Sequence, residues 1–558
     1  MGWSKYVLFD YFTIGAITPV LFIGVLAYYF LSIKSKSHST FHISAYLSYS
    51  FFFFLAYVFS AGIYHPMAAF HRWVTIATCL VQLAHYSYMI FCFPENRNPK
   101  VGKVFLYFWY GYTALLAILF INESLSAQKI YLFEGHYWDF KAEVITRIYA
   151  LSILVAQFSI LVVGVFKFRQ NRGSDKWTAL LLGVFGFILF LIPGVTNLLS
   201  RNGLIDRGTY QLTQNLSTIL GVFVTSMIYF NATKDRSTFL SKILLVTLAT
   251  VLLMVQGFSY FSLQDQERAF DTLLQSRAEL AVSNDKLIDD AEYMVVYESG
   301  IGISHIQLKD KTMVSLDFEK YKQEYQDILK NAKKDQDFAN KSQFSFIKAG
   351  ERIYRKSADE MEHFVSISKV DILKGKVYEV GFPYVMYRNF VHETSAKYLK
   401  FILLMVAVIV IGFPLFFSSS LLIPIQNILS GLKEMQNGNL KVQIPVRVED
   451  EFGYMSYTFN SMAKDLSAMK DHLEDLVLER TVQLRQKTKD IQSMLQNMPE
   501  GILTVMQDGS IHSEYSDYLE VIFETNSIKG KNIMEFLFLN SNLDTDILSQ
   551  IQGVILSS

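Results

Sequence analysis

Two groups of polar residues in the 558-residue chain could bind a small molecule. Arg352 and Arg355 flank Tyr354, and two guanidinium groups beside a phenol suit an anionic ligand. Asn197 and Gln211 lie near the ends of two neighbouring apolar segments, where their amides could line a ligand pocket. The alternatives are a solvated surface for the arginines and mutual hydrogen bonding for the amides.

The sequence shows no recognisable catalytic or metal-binding pattern. It lacks the glycine-rich loops G-x-x-x-x-G-K-[ST] and G-x-G-x-x-G, and it has no Cys/His cluster at zinc spacing. His472 lacks the downstream proline expected after a kinase phosphoacceptor histidine, so we interpret it as solvated. Interhelical hydrogen bonds explain His65, His71 and His85 better than a haem or a metal does. We therefore predict no cofactor, no metal and no nucleic-acid partner.

The composition is that of a membrane protein. Hydrophobic residues make up 51% of the chain and charged residues only 18%, whereas soluble proteins carry about 25% charge. Crossing a bilayer takes about 20 mainly apolar residues. Nine stretches qualify: 7–33, 43–64, 70–93, 102–122, 145–166, 177–199, 209–231, 240–263 and 399–423.

The basic residues of the short loops predict the orientation. One set of alternate loops carries 12 Lys and Arg, whereas the opposite set, together with the N-terminus, carries 7. The N-terminus is therefore predicted outside, and an odd number of spans then places the C-terminus in the cytoplasm.

Residues 1–231 are expected to form a seven-helix bundle, followed by a transmembrane helix at 240–263 and an extracytoplasmic domain at 264–397. Within that domain we predict that a helix continues over Gln264–Tyr293. A second helix is predicted over Tyr321–Ala332, and strands over Met294–Tyr297, Gly302–Leu308, Phe344–Ile347, Phe364–Ile367 and Tyr378–Val385. This layout resembles an α+β sensory domain of the PAS or Cache type. The last span, 399–423, returns to the cytoplasm.

Two heptad seams follow the last span. The first comprises Ile425, Ile428, Leu432 and Met435, and the second Phe452, Met455, Phe459, Met462, Leu466 and Met469. Each seam is too narrow to bury itself alone, and Gly438 marks the helix stop between them. Two such helices pair naturally with two more from a second chain.

This region, 424–475, resembles the HAMP domain of bacterial receptors and sensor kinases. The matching residues are the entry proline Pro424, Gly438 with Leu440 after it, Ile444, the signature Asp450-Glu451-Phe452-Gly453, and Phe459-Asn460-Ser461-Met462. The resemblance implies a cytoplasmic, parallel four-helix bundle formed by a homodimer. It also implies that the residues of the seams and of the signature relay the signal.

The second helix is predicted to continue as a signalling coiled coil over 476–496, with a four-residue phase break between Leu473 and Val477. A plain coiled-coil spacer is the alternative. Residues 497–558 resemble the first half of a PAS domain, opened by a hairpin at Asp508-Gly509 and followed by a helix at 516–524. Because a PAS fold needs roughly 100 residues, we expect the chain to be cut short of its output module.

The sequence thus predicts a mainly α membrane protein of the bacterial inner membrane. Its seven-helix part is similar to N-terminal sensory modules of some bacterial histidine kinases. Its predicted function is to relay an extracytoplasmic or intramembrane stimulus, such as an unidentified small molecule, to a cytoplasmic output. Histidine-kinase phosphorelay is the favoured output, and a cyclase or PP2C-type phosphatase comes next. A seven-helix transporter or channel with a regulatory HAMP region, or a membrane enzyme, remains the alternative.

Overall fold

The computed structural model describes residues 6–233, 235, 239–309, 316–338, 352–357, 362–371, 373–446 and 450–557. The chain divides into two compact units, Met1–Ser418 and Ser419–Ser558, which are treated separately below. The predicted strand Phe344–Ile347 lies outside the described residues.

The first unit begins with seven helices. They are α1 (Tyr11–Ser32), α2 (His38–Gly62), α3 (His71–Cys92), α4 (Pro99–Ser126), α5 (Glu143–Gln170), α6 (Ser174–Arg201) and α7 (Arg207–Ala232). Together with two later helices they make nine candidate membrane spans among the described residues, as the sequence predicts. The protein is therefore a multi-pass membrane protein.

Local chemistry sets several of the helix ends and crossings. The Asp10 side chain accepts a hydrogen bond from the backbone N–H of Thr13 and closes a capping box at the start of α1. Helices α5 and α6 cross closely at Gly164 and Gly183, where a Cβ on either residue would lie 2.8 Å from the other's Cα.

A short hairpin between α4 and α5 was not predicted. Strand β1 (Lys129–Leu132) pairs antiparallel with β2 (Tyr137–Phe140), and the turn ends at His136, which has a φ of +54°. Four-residue strands are too short for alternation to be read from sequence. The hairpin lies over the bundle, because Trp138 and Phe140 are buried in its core.

Helix α8 (Phe239–Asn284) is 46 residues long and leads into an antiparallel sheet. The helix ends nine residues before the predicted Tyr293, because Asp285 adopts a left-handed φ of +47° and the N–H of Lys286 bonds back to Ala281. The strands are β3 (Tyr293–Glu298), β4 (Gly302–Leu308), β5 (Ile353–Lys356), β6 (His363–Asp371) and β7 (Lys376–Pro383), in the order β4-β3-β7-β6-β5. Helix α9 (Lys322–Phe338) covers one face. An α+β region is thus confirmed, while its PAS or Cache type remains a prediction.

Helix α10 (Tyr384–Ala407) starts directly after β7, well before the predicted span at 399. The helical path continues through a π turn at Val408–Gly412, α11 (Phe413–Phe417) and a π turn at Ser418–Leu422. Each π turn ends two residues before a proline, Pro414 or Pro424. A proline lacks the N–H that would bond four residues back and clashes with that carbonyl, so local widening of the helix is the expected response.

The second unit holds α12 (Ile423–Gln436), a connector and α13 (Glu451–Asn497), which runs unbroken through the predicted coiled coil. Three short helices follow: α14 (Tyr518–Ile522), α15 (Ile533–Phe538) and α16 (Thr545–Ser557). The predicted hairpin around Gly509 is present in reduced form among the described residues: Val505 and Ile511 form an antiparallel bridge, and backbone bonds join Met506 to Ser510 and His512 to Thr504, but no full strand develops. A small core of Ile511, Leu519, Ile528 and Ile533 holds this end together.

Candidate functional site

Two of the five predicted ligand residues line a cavity of about 490 Å³, called here the Arg352 cavity. It opens where the first turn of α1, the loop before α7, helix α8, the β1–β2 turn and β5 meet. Its wall consists of Tyr11, Phe12, Phe133, Glu134, His136, Ser200, Gly203, Ile205, Asp206, Arg207, Gly208, Tyr260, Gln264, Glu267, Arg352 and Tyr354. The volume lies within the usual range for small-molecule sites.

Arg352 is already engaged by the protein. Its Nε atom bonds to the carboxylate of Asp271, its Nη2 atom lies 3.6 Å from Glu267 Oε2, and its guanidinium stands 4.4 Å from the ring centre of Tyr387. Its side chain is only 8% exposed. Arg352 therefore holds α8 against β5 and α10.

Arg355 does not reach the cavity. Successive side chains on a strand point to opposite faces of a sheet, and Arg355 forms ion pairs with Glu379 at 2.8 Å and Glu324 at 2.7 Å. Glu379 is fully buried and also accepts hydrogen bonds from Tyr293 and Ser366. Burial raises the pKa of Glu379, but the bonds and charge of Arg355 outweigh burial, so the net pKa lies below its ordinary value.

The two predicted amides lie beside the cavity rather than in its wall. Asn197 Oδ1 accepts a 2.8 Å hydrogen bond from Arg207, which does line the cavity. Gln211 is buried on α7, one turn beyond Gly208. The spacing of apolar segments placed both residues near the correct end of the bundle, but it could not resolve which side chains face the cavity.

A buried polar seam continues from the cavity into the bundle on α1, α7 and α8. Thr18 Oγ1 donates a 2.6 Å hydrogen bond to Gln256 Oε1. Both amide atoms of Asn215 and the Nε2 atom of Gln256 are buried without a hydrogen-bond partner among the described residues. Each lies one or two turns from a cavity residue on its own helix, so the three helices share a polar face below the cavity.

A chain of hydrogen bonds that sequence reasoning missed connects the cavity to α10. Tyr387 Oη donates to Glu267 Oε1 at 2.7 Å and lies 3.2 Å from His136 Nε2. The other ring nitrogen of His136 bonds to the hydroxyl of Tyr384. Two residues in the first turn of α10 are thereby tied to α8 and to the hairpin.

Arg388, in the same turn, is fully buried and was also missed. Its guanidinium donates to the carbonyls of Leu8, Ala61 and His136 and to the Tyr131 hydroxyl at 2.5–3.0 Å. It also lies 3.4 Å from the Asp10 carboxylate. These contacts, the Arg388 network, join α10 to the N-terminal segment, to α2 and to the hairpin.

The second unit sorts the predicted heptad residues into two sets. Ile428, Met435, Phe452 and Phe459 pack within the chain, together with Ile444 and Ala463. In contrast, Ile425, Leu432, Met455, Met462, Leu466 and Met469 are 38–62% exposed. Each helix therefore buries one half of its apolar stripe and leaves the other half uncovered.

The connector between α12 and α13 is fixed by specific contacts. Asn460 clamps the backbone of Ile444, accepting from its N–H and donating to its carbonyl, both at 2.8 Å. A Cβ at Gly431 would lie 2.8 Å from the Ile444 side chain, so a larger residue there would displace Ile444. Gly438 has a φ of +92° at the end of α12, and the Asp450 side chain caps α13 at the N–H of Gly453.

The remaining predicted relay residues lie at the edges of this core. Pro424 stands in the first turn of α12, Glu451 is the exposed first residue of α13, and Leu440 is half-buried in the connector.

No group of three or more His, Cys, Asp or Glu residues that could hold a metal ion occurs in the part of the chain that the structure describes. Of the three histidines considered in the sequence, His85 bonds to His42, with their Nδ1 atoms 2.9 Å apart. Two zinc–nitrogen bonds take about 2.0 Å each, so a metal ion on the line between the nitrogens would not fit that separation.

In the part of the chain that the structure describes, nine candidate spans, a two-stranded hairpin and a five-stranded sheet make up a multi-pass membrane protein with an α+β part. The HAMP domain family matches residues 416–468, starting and ending seven or eight residues before the boundaries that we predicted. HAMP domains relay signals in membrane sensors and transducers and typically function as dimers. No curated protein matches the chain.

Proposed function

We propose that this protein is a homodimeric signal transducer of the bacterial inner membrane, with its N-terminus outside and its C-terminus in the cytoplasm. A stimulus acts at the end of the seven-helix bundle that carries the Arg352 cavity, and α10 conducts the change to the HAMP region. The coiled-coil part of α13 and the PAS-like segment pass it to a cytoplasmic output. Histidine-kinase phosphorelay is the favoured output.

The Arg388 network is the observation that carries this proposal. Helix α10 belongs to the candidate span Tyr384–Gln436, which leads along the chain into the HAMP region. Its first turn is held by residues of the N-terminal segment, α2 and the hairpin. Any rearrangement of those elements must therefore act on the helix that precedes the HAMP region.

The free energy stored in the contacts of Arg388 is large enough to account for allosteric coupling. Breaking a buried ion pair by removing one partner costs about 3–5 kcal/mol, whereas allosteric coupling needs only about 1–3 kcal/mol. A partial rearrangement of the Arg388 network is thus sufficient to shift a two-state element downstream.

The uncovered heptad residues support the dimer. Exposed Met455, Met462 and Leu466 repeat at heptad spacing along α13, and Leu432 supplies a counterpart on α12. A second copy would cover these side chains in a four-helix bundle of coiled-coil geometry.

Cysteine crosslinking of the full-length protein in its membrane tests the proposal. Met462→Cys places a thiol on the uncovered seam, whereas Tyr457→Cys places one on the opposite side of the same helix. Ile428 is less suitable, because it packs inside the chain. The native cysteines, Cys79 and Cys92, are buried and should react slowly.

We expect rapid disulfide-linked dimers for Met462→Cys and at least about tenfold slower crosslinking for Tyr457→Cys. Equal rates for the two variants, or a monomer for both, would reject the proposed dimer.

A further inference from the structure

We infer that the Arg352 cavity binds an organic cation. This inference rests on the proposed function only in treating the cavity as the stimulus site. It replaces the anionic ligand that the sequence left open beside a solvated surface, with Arg352 and Arg355 as available charges. Three properties of the cavity wall carry it: its aromatic rings, the engagement of its guanidinium groups, and its carboxylates.

Aromatic rings contribute much of the wall. They belong to Tyr11, Phe12, Phe133, Tyr260 and Tyr354. The faces of such rings attract cations, and aromatic cages are the common way in which proteins bind substituted ammonium groups. The Phe133 ring stacks on Tyr354 at 4.5 Å and has the Lys356 ammonium 5.7 Å from its centre, so the rings left for a guest are those of Tyr11, Phe12 and Tyr260.

The two guanidinium groups among the described lining residues, Arg207 and Arg352, already have protein partners. Arg352 is bound by Asp271 and Glu267, as described above. Arg207 donates to Asn197 and stacks on the Tyr210 ring at 4.2 Å. An anionic ligand would have to compete with these contacts.

The N-terminus of α7, where free backbone N–H groups could bind an anion, is also already occupied by the protein. The Asp206 side chain caps it by accepting a 2.8 Å bond from the Thr209 N–H.

Carboxylates outnumber guanidinium groups among the lining side chains that the structure describes. Glu134, Asp206 and Glu267 face the cavity with Arg207 and Arg352, and Asp271 behind the wall neutralises part of Arg352. Glu134 is exposed at the hairpin turn; its charge acts on Arg207, but among the described residues no hydrogen bond or close ion pair holds its carboxylate. This excess of carboxylates among the described lining side chains favours a positively charged guest.

A cation in this position would act directly on α10. Glu267 shares its carboxylate between Arg352 and Tyr387, and Tyr387 precedes Arg388 in the chain. A bound cation competes with both partners of Glu267, which alters the contacts of the first turn of α10.

Direct binding to the full-length protein in lipid nanodiscs tests the inference by calorimetry. The probes are choline, tryptamine and spermidine as cations, 3,3-dimethylbutanol as the neutral isostere of choline, and indole-3-acetate as the anionic relative of tryptamine. We expect at least one cation to bind with a Kd below about 1 mM, and its neutral or anionic relative to bind at least about tenfold more weakly. No binding by any cation up to about 10 mM, or equal binding of choline and its isostere, would overturn the inference.

A matched pair of variants locates the binding. Glu134→Gln removes a carboxylate from the wall and should weaken cation binding at least about fivefold, because a charge-assisted contact is lost. Asp265→Asn removes an exposed carboxylate from α8 outside the wall and should leave the Kd within about twofold. An unchanged Kd in Glu134→Gln, or an equal loss in both variants, would show that the cavity is not the site.

The same preparation separates this inference from the proposed function. If Met462→Cys still crosslinks while no cation binds, the ligand class is wrong and the proposed dimer stands. If a cation binds at Glu134 but Met462→Cys gives no dimer, the binding site stands and the proposed transducer fails.

Discussion

Replacing Arg388 by methionine should release the first turn of α10 from the elements that hold it. The guanidinium is fully buried, and its loss leaves the Asp10 carboxylate and the carbonyls of Leu8, Ala61 and His136 without their partner. Removing one member of a buried ion pair costs about 3–5 kcal/mol. We expect Arg388→Met to weaken the local structure by that amount.

Amide hydrogen exchange of the full-length protein in lipid measures the effect where it arises. Because 1.4 kcal/mol corresponds to a factor of ten, the hairpin at 129–140 and the first turn of α1 should exchange roughly 10²- to 4 × 10³-fold faster. Arg268→Met is the matched control, since that guanidinium is 70% exposed and pairs only weakly with Asp265; its exchange should stay within about threefold of the wild type.

A second substitution tests whether the buried charge is the cause. Asp10→Asn removes the charge but keeps an oxygen that can cap Thr13, so the double variant Asp10→Asn/Arg388→Met should recover about 0.5–3 kcal/mol of the loss. Exchange of the hairpin within about threefold of the wild type in Arg388→Met, or strictly additive effects in the double variant, would refute the reasoning.

Two further predictions concern the sheet and the HAMP connector. Arg355 and the other partners hold the pKa of Glu379 below its ordinary value, so Glu379 stabilises the sheet above the unfolded pKa of about 4.3, and this stability is lost as the pH falls through the folded pKa. Glu379→Gln should remove this acid dependence and destabilise the sheet by about 3–5 kcal/mol. Hydrogen exchange of β6 and β7 between pH 7 and 3 measures both effects. An acid response that persists in the variant would contradict the assignment to Glu379. Asn460→Ala removes both hydrogen bonds to Ile444 and should destabilise the connector by about 1–3 kcal/mol, which speeds amide exchange at 440–446. The control Asn439→Ala loses one exposed 3.3 Å contact and should leave that exchange rate nearly unchanged. Equal exchange in these two variants would show that Asn460 does not fix the connector.

The sequence alone was sufficient for the features that depend on near neighbours in the chain. Membrane spans are recognised by continuous apolar runs, and the HAMP helices by heptads closed with Gly438 and Asp450. Both signals are complete within a few turns, so the structure has little room to depart from them. The heptads also predicted more apolar surface than one chain can bury. The structure shows which residues are buried within the chain, such as Phe459, and which stay exposed, such as Met462.

The candidate site depends on contacts between residues that are far apart in the sequence. The partners of Arg388 lie 252–380 residues away along the chain, and the acidic partners of Arg352, Asp271 and Glu267, lie 81–85 residues away. Sequence periodicity carries no information about partners so far apart in the chain. An arginine that is paired with a carboxylate of the protein therefore cannot be distinguished in sequence from one that is free to bind a ligand. This is why the sequence left an anion possible at Arg352 and Arg355. With Arg352 and Arg207 assigned to protein partners and Arg355 outside the cavity, the lining carboxylates, Glu134 among them, favour a cationic guest.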